Sequence, residues 1–188
     1  LITLGRRSKK MGKEPPFDAV LPVGTPLSSR LRQELRSLYK KPKGFPNLIG
    51  QMEGGVDFEC PFSAQKELNY LHESEDLYVY EVVKPGTGEK AAKGERGELI
   101  ATVFYNHVLP LIRFSTEDVF ENLSTTEPCE CGRTTLRWLK PCPGRLKDIF
   151  RVRGKEMMPW DVQLIIGEIP DTTMVYQIFL DSWDMDKL

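Results

Sequence analysis

Long hydrophobic runs are missing from this sequence of 188 residues. The longest apolar stretches, residues 77–83 and 99–104, are far shorter than the roughly 20 residues that cross a bilayer as a helix. The chain begins with Leu1, and its first basic residues follow the first apolar ones, which is the wrong order for a signal peptide. We therefore expect an internal piece of a longer polypeptide, without a transmembrane helix and with a cytoplasmic location.

An excess of charge is also missing, because 26 lysines and arginines almost balance 27 aspartates and glutamates. A dedicated nucleic-acid binder usually has a basic balance or a basic face, so this balance argues against one. Basic residues do cluster in residues 6–13 and 30–43, and a nucleic-acid binder that used them would show strongly salt-dependent affinity. That alternative ranks last, and we expect no nucleic-acid and no membrane partner.

Histidine and cysteine are scarce, at two and four residues, so metal or thiol chemistry is confined to few positions. Without a secretory signal, four cysteines favour free thiols or metal ligands over disulfides. Cys129 and Cys131 are separated by one residue in a PCECGR turn, and two thiolates at this spacing can share one tetrahedral zinc ion.

The remaining zinc ligands would come from Cys60, His72 or Cys142. Cys60 and His72 are preferred, because both precede a predicted hairpin whose far end leads back towards Cys129, whereas a proline on either side restricts Cys142. The spacing matches no standard zinc finger, so on this pattern alone a zinc site and unligated thiols have equal weight. His107 is interpreted as a packing or hydrogen-bonding residue.

The first third of the chain is predicted to contain an α/β unit. Residues 18–24 are interpreted as a short buried strand, and Ser28 or Ser29 as the cap of the helix that follows. The glycine-containing residues 44–47 and 50–55 are interpreted as loops. The predicted apolar stripe of the helix is Leu31, Leu35 and Leu38, and the basic residues predicted to lie away from it are Arg30, Arg32, Arg36 and Lys40.

A β-hairpin with a long exposed loop is predicted from the β-branched and aromatic residues of 77–83 and 98–105. A third strand, residues 109–114, would end at the polar residues 115–118, which would face a cleft. The last predicted elements are a strand over 148–152, a helix over 159–168 with Asp161 in its first turn, and a strand over 174–180. Together these elements predict a large α/β part and a small α+β piece that starts near residue 145.

Motifs for nucleophilic catalysis, a Walker-type phosphate loop and the HExxH zinc pattern are all missing. The sequence instead places Arg113, Asp118 and Arg145 at predicted loop ends near glycines. An aspartate can accept two hydrogen bonds from a ribose diol, and an arginine can pair with phosphate in a bidentate manner. This mixture predicts a site for a phosphorylated ligand that carries hydroxyl groups, and the alternative is a set of surface ion pairs.

Several blocks occur in an order that resembles the phenylacetate-CoA ligase family of adenylate-forming enzymes. The resemblance runs from about Val20 almost to the C-terminus. The blocks are EDLYVYEVV (75–83), the Thr-Gly-Glu turn (87–89), GERGEL (94–99), LPLIRFSTED (109–118), PCECGR (128–133), GRLKDIFRVRG (144–154) and Pro159. The order of these blocks is far more specific than any one of them.

The resemblance implies a two-step reaction. A carboxylate, with aromatic acids favoured, attacks the α-phosphate of ATP to form an acyl-adenylate, and coenzyme A then displaces AMP. Mg²⁺ would stabilise the phosphate charge. The implied domains are a partial large domain over residues 1–143 and a hinge with a partial lid domain over 144–188. A homodimer is left open.

The resemblance also implies a role for particular residues. Glu53 would lie near Mg²⁺, Asp118 would bind both ribose hydroxyls, and Arg145 would contact the nucleotide. Lys147 takes the hinge position, about which the lid rotates between the half-reactions. The remaining implied positions are Gly24, Thr25 and Pro26 near adenine, Gly50 in the Tyr-Gly-x-Thr-Glu loop, Gly154 at the pantetheine tunnel, and Cys60, His72, Cys129 and Cys131 as ligands of a structural zinc.

Three residues depart from the family pattern: Ile49 replaces a tyrosine, Met52 a threonine, and Glu117 a glycine. We also expect the phosphate loop to precede Leu1 and the adenylating lysine to follow Leu188, so that this chain alone would be inactive. Two alternatives remain, an adenylating enzyme without transfer to coenzyme A and a degenerate, zinc-stapled binding module. Extension of the reading frame in both directions would discriminate between the enzyme and the degenerate module.

Overall fold

The computed structural model describes residues 1–24, 27–51, 55–123, 127–169 and 176–179. The expectations for Thr25, Pro26, Met52 and Glu53 therefore lie outside the described residues. Among the helices that the structure does describe, none is both long and apolar enough to traverse a bilayer.

The described residues form four α-helices, which are α1 (Ile2–Lys10), α2 (Ser29–Leu38), α3 (Pro61–Lys66) and α4 (Pro159–Glu168). The predicted start of α2 is confirmed, because the Ser28 hydroxyl accepts a hydrogen bond from the backbone N–H of Leu31 at 3.3 Å. Leu35 and Leu38 are buried, as the apolar stripe predicts. The predicted helix over 159–168 is confirmed as α4, with Asp161 in its first turn.

Within the described part of the chain, seven antiparallel strands form one sheet in the order β1-β2-β3-β7-β6-β5-β4. They are β1 (Leu48–Gln51), β2 (Gly55–Glu59), β3 (Leu71–His72), β4 (Tyr78–Val83), β5 (Arg96–Val103), β6 (Phe114–Glu121) and β7 (Trp138–Arg145). A short 3-10 turn (Leu146–Asp148) leads into a separate ribbon of β8 (Phe150–Val152) and β9 (Lys155–Met157). The mixed α/β and α+β fold class and the β4–β5 hairpin are thus confirmed.

The main core lies on one face of β4–β7 and includes Tyr78, Tyr80, Leu99 and Phe120. Ile49 of β1 packs against this core. The sheet therefore curls, so that its edge strand β1 lies against the strands at the opposite side of the sheet. A second core packs α1 against α2 and against the segments on either side of α2. A third core packs β6 and β7 against residues of the segment that follows β7.

Three predictions of local structure are wrong. Residues 18–24 form only an isolated bridge between Val23 and Leu48, because Pro22 has no N–H to offer a sheet ladder. Gly50 and Gly55 lie in paired strands, where a loop was predicted. The third strand starts at residue 114, where it was expected to end, so Asp118 lies within β6.

The predicted strand over 174–180 has no counterpart in residues 176–179, and its other residues lie outside the described part. The domain boundary after residue 143 falls inside β7, which continues to Arg145. That boundary stays a prediction.

Arg32 does not lie on an exposed basic face as predicted, since only 1% of it is accessible. Its guanidinium donates to the Phe45 carbonyl at 2.8 Å, to Glu59 Oε2 at 2.8 Å and to Asn69 Oδ1 at 2.7 Å. The Glu59 side chain is also fully buried. These partners are 13 to 37 residues away along the chain, so helical periodicity alone could not reveal them.

Asp57 is a buried carboxyl group that accepts a hydrogen bond from the Tyr78 hydroxyl at 2.6 Å and from the Ser74 N–H at 3.2 Å. Burial raises the pKa of Asp57 from 3.8 to about 6, although these hydrogen bonds oppose the shift. Burial likewise raises the pKa of Glu73 to about 7. Both groups bind protons more tightly in the folded state than in the unfolded state.

We predict that the protein loses stability as the pH rises from about 4 to about 7, since the folded state then gives up protons that the unfolded state has already lost. The Asp57→Asn variant should lose about 3 kcal/mol less over this range. Urea unfolding at several pH values measures the slopes, and the exposed Asp76→Asn is the control. Parallel slopes in wild type and Asp57→Asn would contradict the buried-carboxyl assignment.

Candidate functional site

A cleft of about 180 Å³ opens where β1 folds over β6 and β7. Its walls include Gly24, Ile49, Gly50 and Gln51 on one side, and Asp118, Val119, Phe120, Pro141, Cys142 and Gly144 on the other. The structure therefore brings together three predicted site residues, namely Gly24, Gly50 and Asp118.

Asp118 and Arg145 are direct partners in the β6–β7 ladder. The Asp118 Oδ1 lies 3.6 Å from Arg145 Nε, and its Oδ2 accepts a hydrogen bond from Gln51 Nε2 at 2.9 Å. Arg145 is half exposed, so this ion pair adds little stability. The geometry therefore places a guanidinium beside the Asp118 carboxylate that lines the cleft, and Arg145 directly follows the lining residue Gly144.

Glu117, which the resemblance places where the family has glycine, has an unusual backbone conformation. Its φ angle is 59°, in the left-handed region that glycine adopts easily and that costs other residues roughly 1–2 kcal/mol. The ladder register shifts between Asp118 and Phe120, next to this residue. Glu117 Oε2 lies 4.0 Å from Arg145 Nη1, so the substitution adds a negative charge beside the predicted nucleotide site.

Three other residues lie away from the cleft lining. Lys147 is exposed in the 3-10 turn, and Gly154 lies at the tip of the β8–β9 hairpin. Arg153 and Gly154 have φ angles of 50° and 75°, as a two-residue type I′ turn requires. Arg113 forms an exposed ion pair with Glu81 at 3.1 Å, so the surface-pair alternative describes it better than a place in the ligand site.

Gln51 and Cys142 also line the cleft, although the sequence predicts no role for Gln51 and offers Cys142 only as a metal ligand. Gln51 directly follows Gly50 in the family loop, and this adjacency is the one signal that could have drawn attention to it. His107 is exposed, so its interpretation as a packing residue is wrong, and its alternative interpretation as a hydrogen-bonding residue stays a prediction.

A second cluster contains Cys60, His72, Cys129 and Cys131, whose ligand atoms all lie within 4.8 Å of one another. Cys60 is the N-cap of α3, and His72 ends β3. Cys60 Sγ is 3.8 Å from Cys129 Sγ, and Cys131 Sγ is 3.4 Å from His72 Nε2. Two sulfurs bound to one tetrahedral zinc at 2.3 Å are about 3.8 Å apart, so the cluster fits a Cys₃His zinc site.

The surroundings of this cluster shift the pKa values of its members in different directions. Burial lowers the pKa of His72, and the positive charge of Arg133 lowers it further, so the imidazole is held in its neutral, metal-binding form. Burial raises the pKa of the Cys60 thiol to about 11. Burial also opposes ionisation of Cys131, but hydrogen bonds with Arg133, Cys129 and Cys60 together outweigh it and lower the pKa of this thiol to about 7.

Solved structures with the same fold are adenylate-forming CoA ligases. A 2-hydroxyisobutyryl-CoA ligase in its postadenylation state matches with a TM-score of 0.71 and 18% identity, over 90% of this chain and 36% of that one. MatB from Rhodopseudomonas palustris matches with a TM-score of 0.53 and 16% identity, over 81% of this chain and 30% of that one. The fold is thus that of part of an adenylate-forming CoA ligase.

Curated sequences narrow this class, although no family model matches the chain. The phenylacetate-coenzyme A ligase of Thermus thermophilus is 36% identical over 135 residues, which is 72% of this chain and 28% of that protein. The enzyme of the same name from Aromatoleum evansii is 29% identical over 187 residues, which is 97% of this chain and 40% of that protein. The chain is homologous to phenylacetate-CoA ligases, and the family resemblance is confirmed. It spans well under half the length of these relatives.

Proposed function

We propose that this chain supplies the nucleotide site and hinge of an ATP-dependent carboxylate–CoA ligase. The observation that carries the proposal is the Asp118–Arg145 pair at the edge of a cleft that Gly24 and Gly50 also line. In this proposal residues 1–143 form part of the large domain, and 144–188 form the hinge and part of the lid. The partners are ATP, coenzyme A and a carboxylic acid, with aromatic acids favoured by the names of the relatives.

The chemistry of each side chain fits this function. The Asp118 carboxylate would accept hydrogen bonds from the ribose hydroxyls, and the adjacent guanidinium of Arg145 would contact the nucleotide. Mg²⁺, when bound, would neutralise phosphate charge, and Glu53 is its proposed neighbour. Glu53 lies outside the described residues, so its role rests on the resemblance alone.

The transfer to coenzyme A rests on the hinge. Lys147 is exposed in the 3-10 turn that directly follows β7, where a change in a few backbone angles would reorient everything after it. Gly154 lies at the tip of the hairpin beyond that turn and would reach the pantetheine tunnel after rotation. The cleft residues bear on adenylate formation, so this half of the reaction is the better supported one.

A structural zinc at Cys60, His72, Cys129 and Cys131 is part of the proposal, because the four side chains fit its geometry. The ion would connect the start of α3, the end of β3 and the 129–131 turn, which are far apart along the chain. Such sites contribute directly to folding.

A binding module without turnover is the second candidate function. Glu117 favours it, because its carboxylate faces Arg145 and competes with a phosphate for that guanidinium. Ile49 favours it as well, since an aliphatic side chain lines the cleft where the family has an aromatic ring. Release of pyrophosphate by the full-length protein, screened with aromatic and aliphatic acids, separates this candidate from the ligase.

Replacement of Asp118 by alanine should weaken AMP binding at least about tenfold, because it removes charge-assisted hydrogen bonds to the ribose. Isothermal titration of AMP measures the affinity, and Asp18→Ala, at an exposed and remote position, is the matched control. Unchanged affinity in Asp118→Ala would reject the nucleotide role of this residue.

Gently purified protein should contain more than about half an equivalent of zinc. Cys131→Ser should lose most of the metal, since it removes one of four ligands, whereas Cys142→Ser should keep it because Cys142 lies outside the cluster. Elemental analysis of the three proteins measures the content. Equal zinc in both variants, or none in the wild type, would count against the closed site.

A further inference from the structure

Gln51 connects two strands that are not neighbours in the sheet. It is the last residue of β1, and its side chain reaches Asp118 on β6, where Nε2 donates to Oδ2 at 2.9 Å. An ionised carboxylate only accepts hydrogen bonds, so the amide must present its NH₂ group to Asp118 and its oxygen elsewhere. The contact therefore sets the orientation of both side chains.

The amide oxygen of Gln51 is buried and has no hydrogen-bond partner among the residues that the structure describes. A buried carbonyl without a partner is unfavourable, and a ligand that donates a hydrogen bond to it removes the penalty. Gln51 lines the same cleft as Asp118. The cleft is thus lined by a carboxylate and, next to it, by a residue whose buried amide oxygen has no partner among the described residues.

We propose that Gln51 is a positioning residue for Asp118 and a further acceptor for the hydroxyl groups of the nucleotide's ribose. The proposal rests on the proposed function, because it takes a ribonucleotide as the ligand of the cleft. Two adjacent hydroxyls are the ligand groups that suit two adjacent acceptors. Gln51 then makes the site selective for an intact ribose diol.

The test compares AMP with 2′,3′-dideoxy-AMP, which lacks both hydroxyls, in wild type and in Gln51→Met, which keeps the length of the side chain without its amide. AMP should bind about fivefold more weakly to Gln51→Met. Binding of the dideoxy nucleotide should change much less, so the preference for AMP should fall by a similar factor. A purely structural role would weaken both nucleotides equally and leave the preference unchanged.

The Gln51→Glu variant supplies a second, independent measurement. Two adjacent carboxylates disfavour each other, but a protonated glutamic acid can donate to Asp118 as the amide does. The preference of this variant for AMP should therefore recover as the pH falls, and that of the wild type should not. The control is Gln33→Met, an exposed position on α2.

The outcomes separate this inference from the proposed function. If the wild type binds both nucleotides equally, the ribose site itself is rejected. If the wild type prefers AMP and Gln51→Met keeps the full preference, the role of Gln51 is overturned while the nucleotide site stands. If Gln51→Met does not fold, as judged by circular dichroism, the pH series of Gln51→Glu decides, and a preference independent of pH overturns the inference.

Discussion

The close approach of β2 to Tyr78 underlies much of this structure. Gly55 has a φ angle of 101°, and a Cβ atom at this position would lie 2.6 Å from Tyr78 Cε1. Because glycine leaves this space, the Tyr78 hydroxyl reaches the Val56 carbonyl at 3.0 Å and Asp57 at 2.6 Å. The β1–β2 hairpin is thereby held against the main core, and the cleft exists because β1 lies over β6.

Glu59, the last residue of β2, and the adjacent Cys60 contact elements that are distant along the chain. The Glu59 carboxylate is fully buried against Arg32 of α2, and Cys60 contributes to the Cys/His cluster. A buried ion pair is a weak source of net stability, but loss of one partner leaves an uncompensated charge. These contacts therefore determine how α2, α3 and the turn at residues 129–131 are arranged, whatever they contribute to the free energy of unfolding.

Two described residues depart from the pattern that the resemblance implies: Ile49 lines the cleft, and Glu117 directly precedes Asp118. Glu117 occupies a left-handed conformation that suits glycine, so its side chain has been accepted at a cost in backbone energy and lies near Arg145. Strain at such a position is typical of a functional site.

Local signals in the sequence determined the β4–β5 hairpin, the Ser28 cap of α2 and the bounds of α4, because the groups that form each of them are near one another in the chain or follow a regular spacing. The grouping of Cys60 and His72 with the Cys129–Cys131 turn was also predicted, and the four side chains do meet. Only the tertiary structure decided that Arg32 is buried, that Asp118 lies inside a strand and that Gln51 contacts it. Gln51 and Asp118 are 67 residues apart, and no spacing rule encodes which distant strand will fold over another, since that depends on how all the apolar faces pack at once.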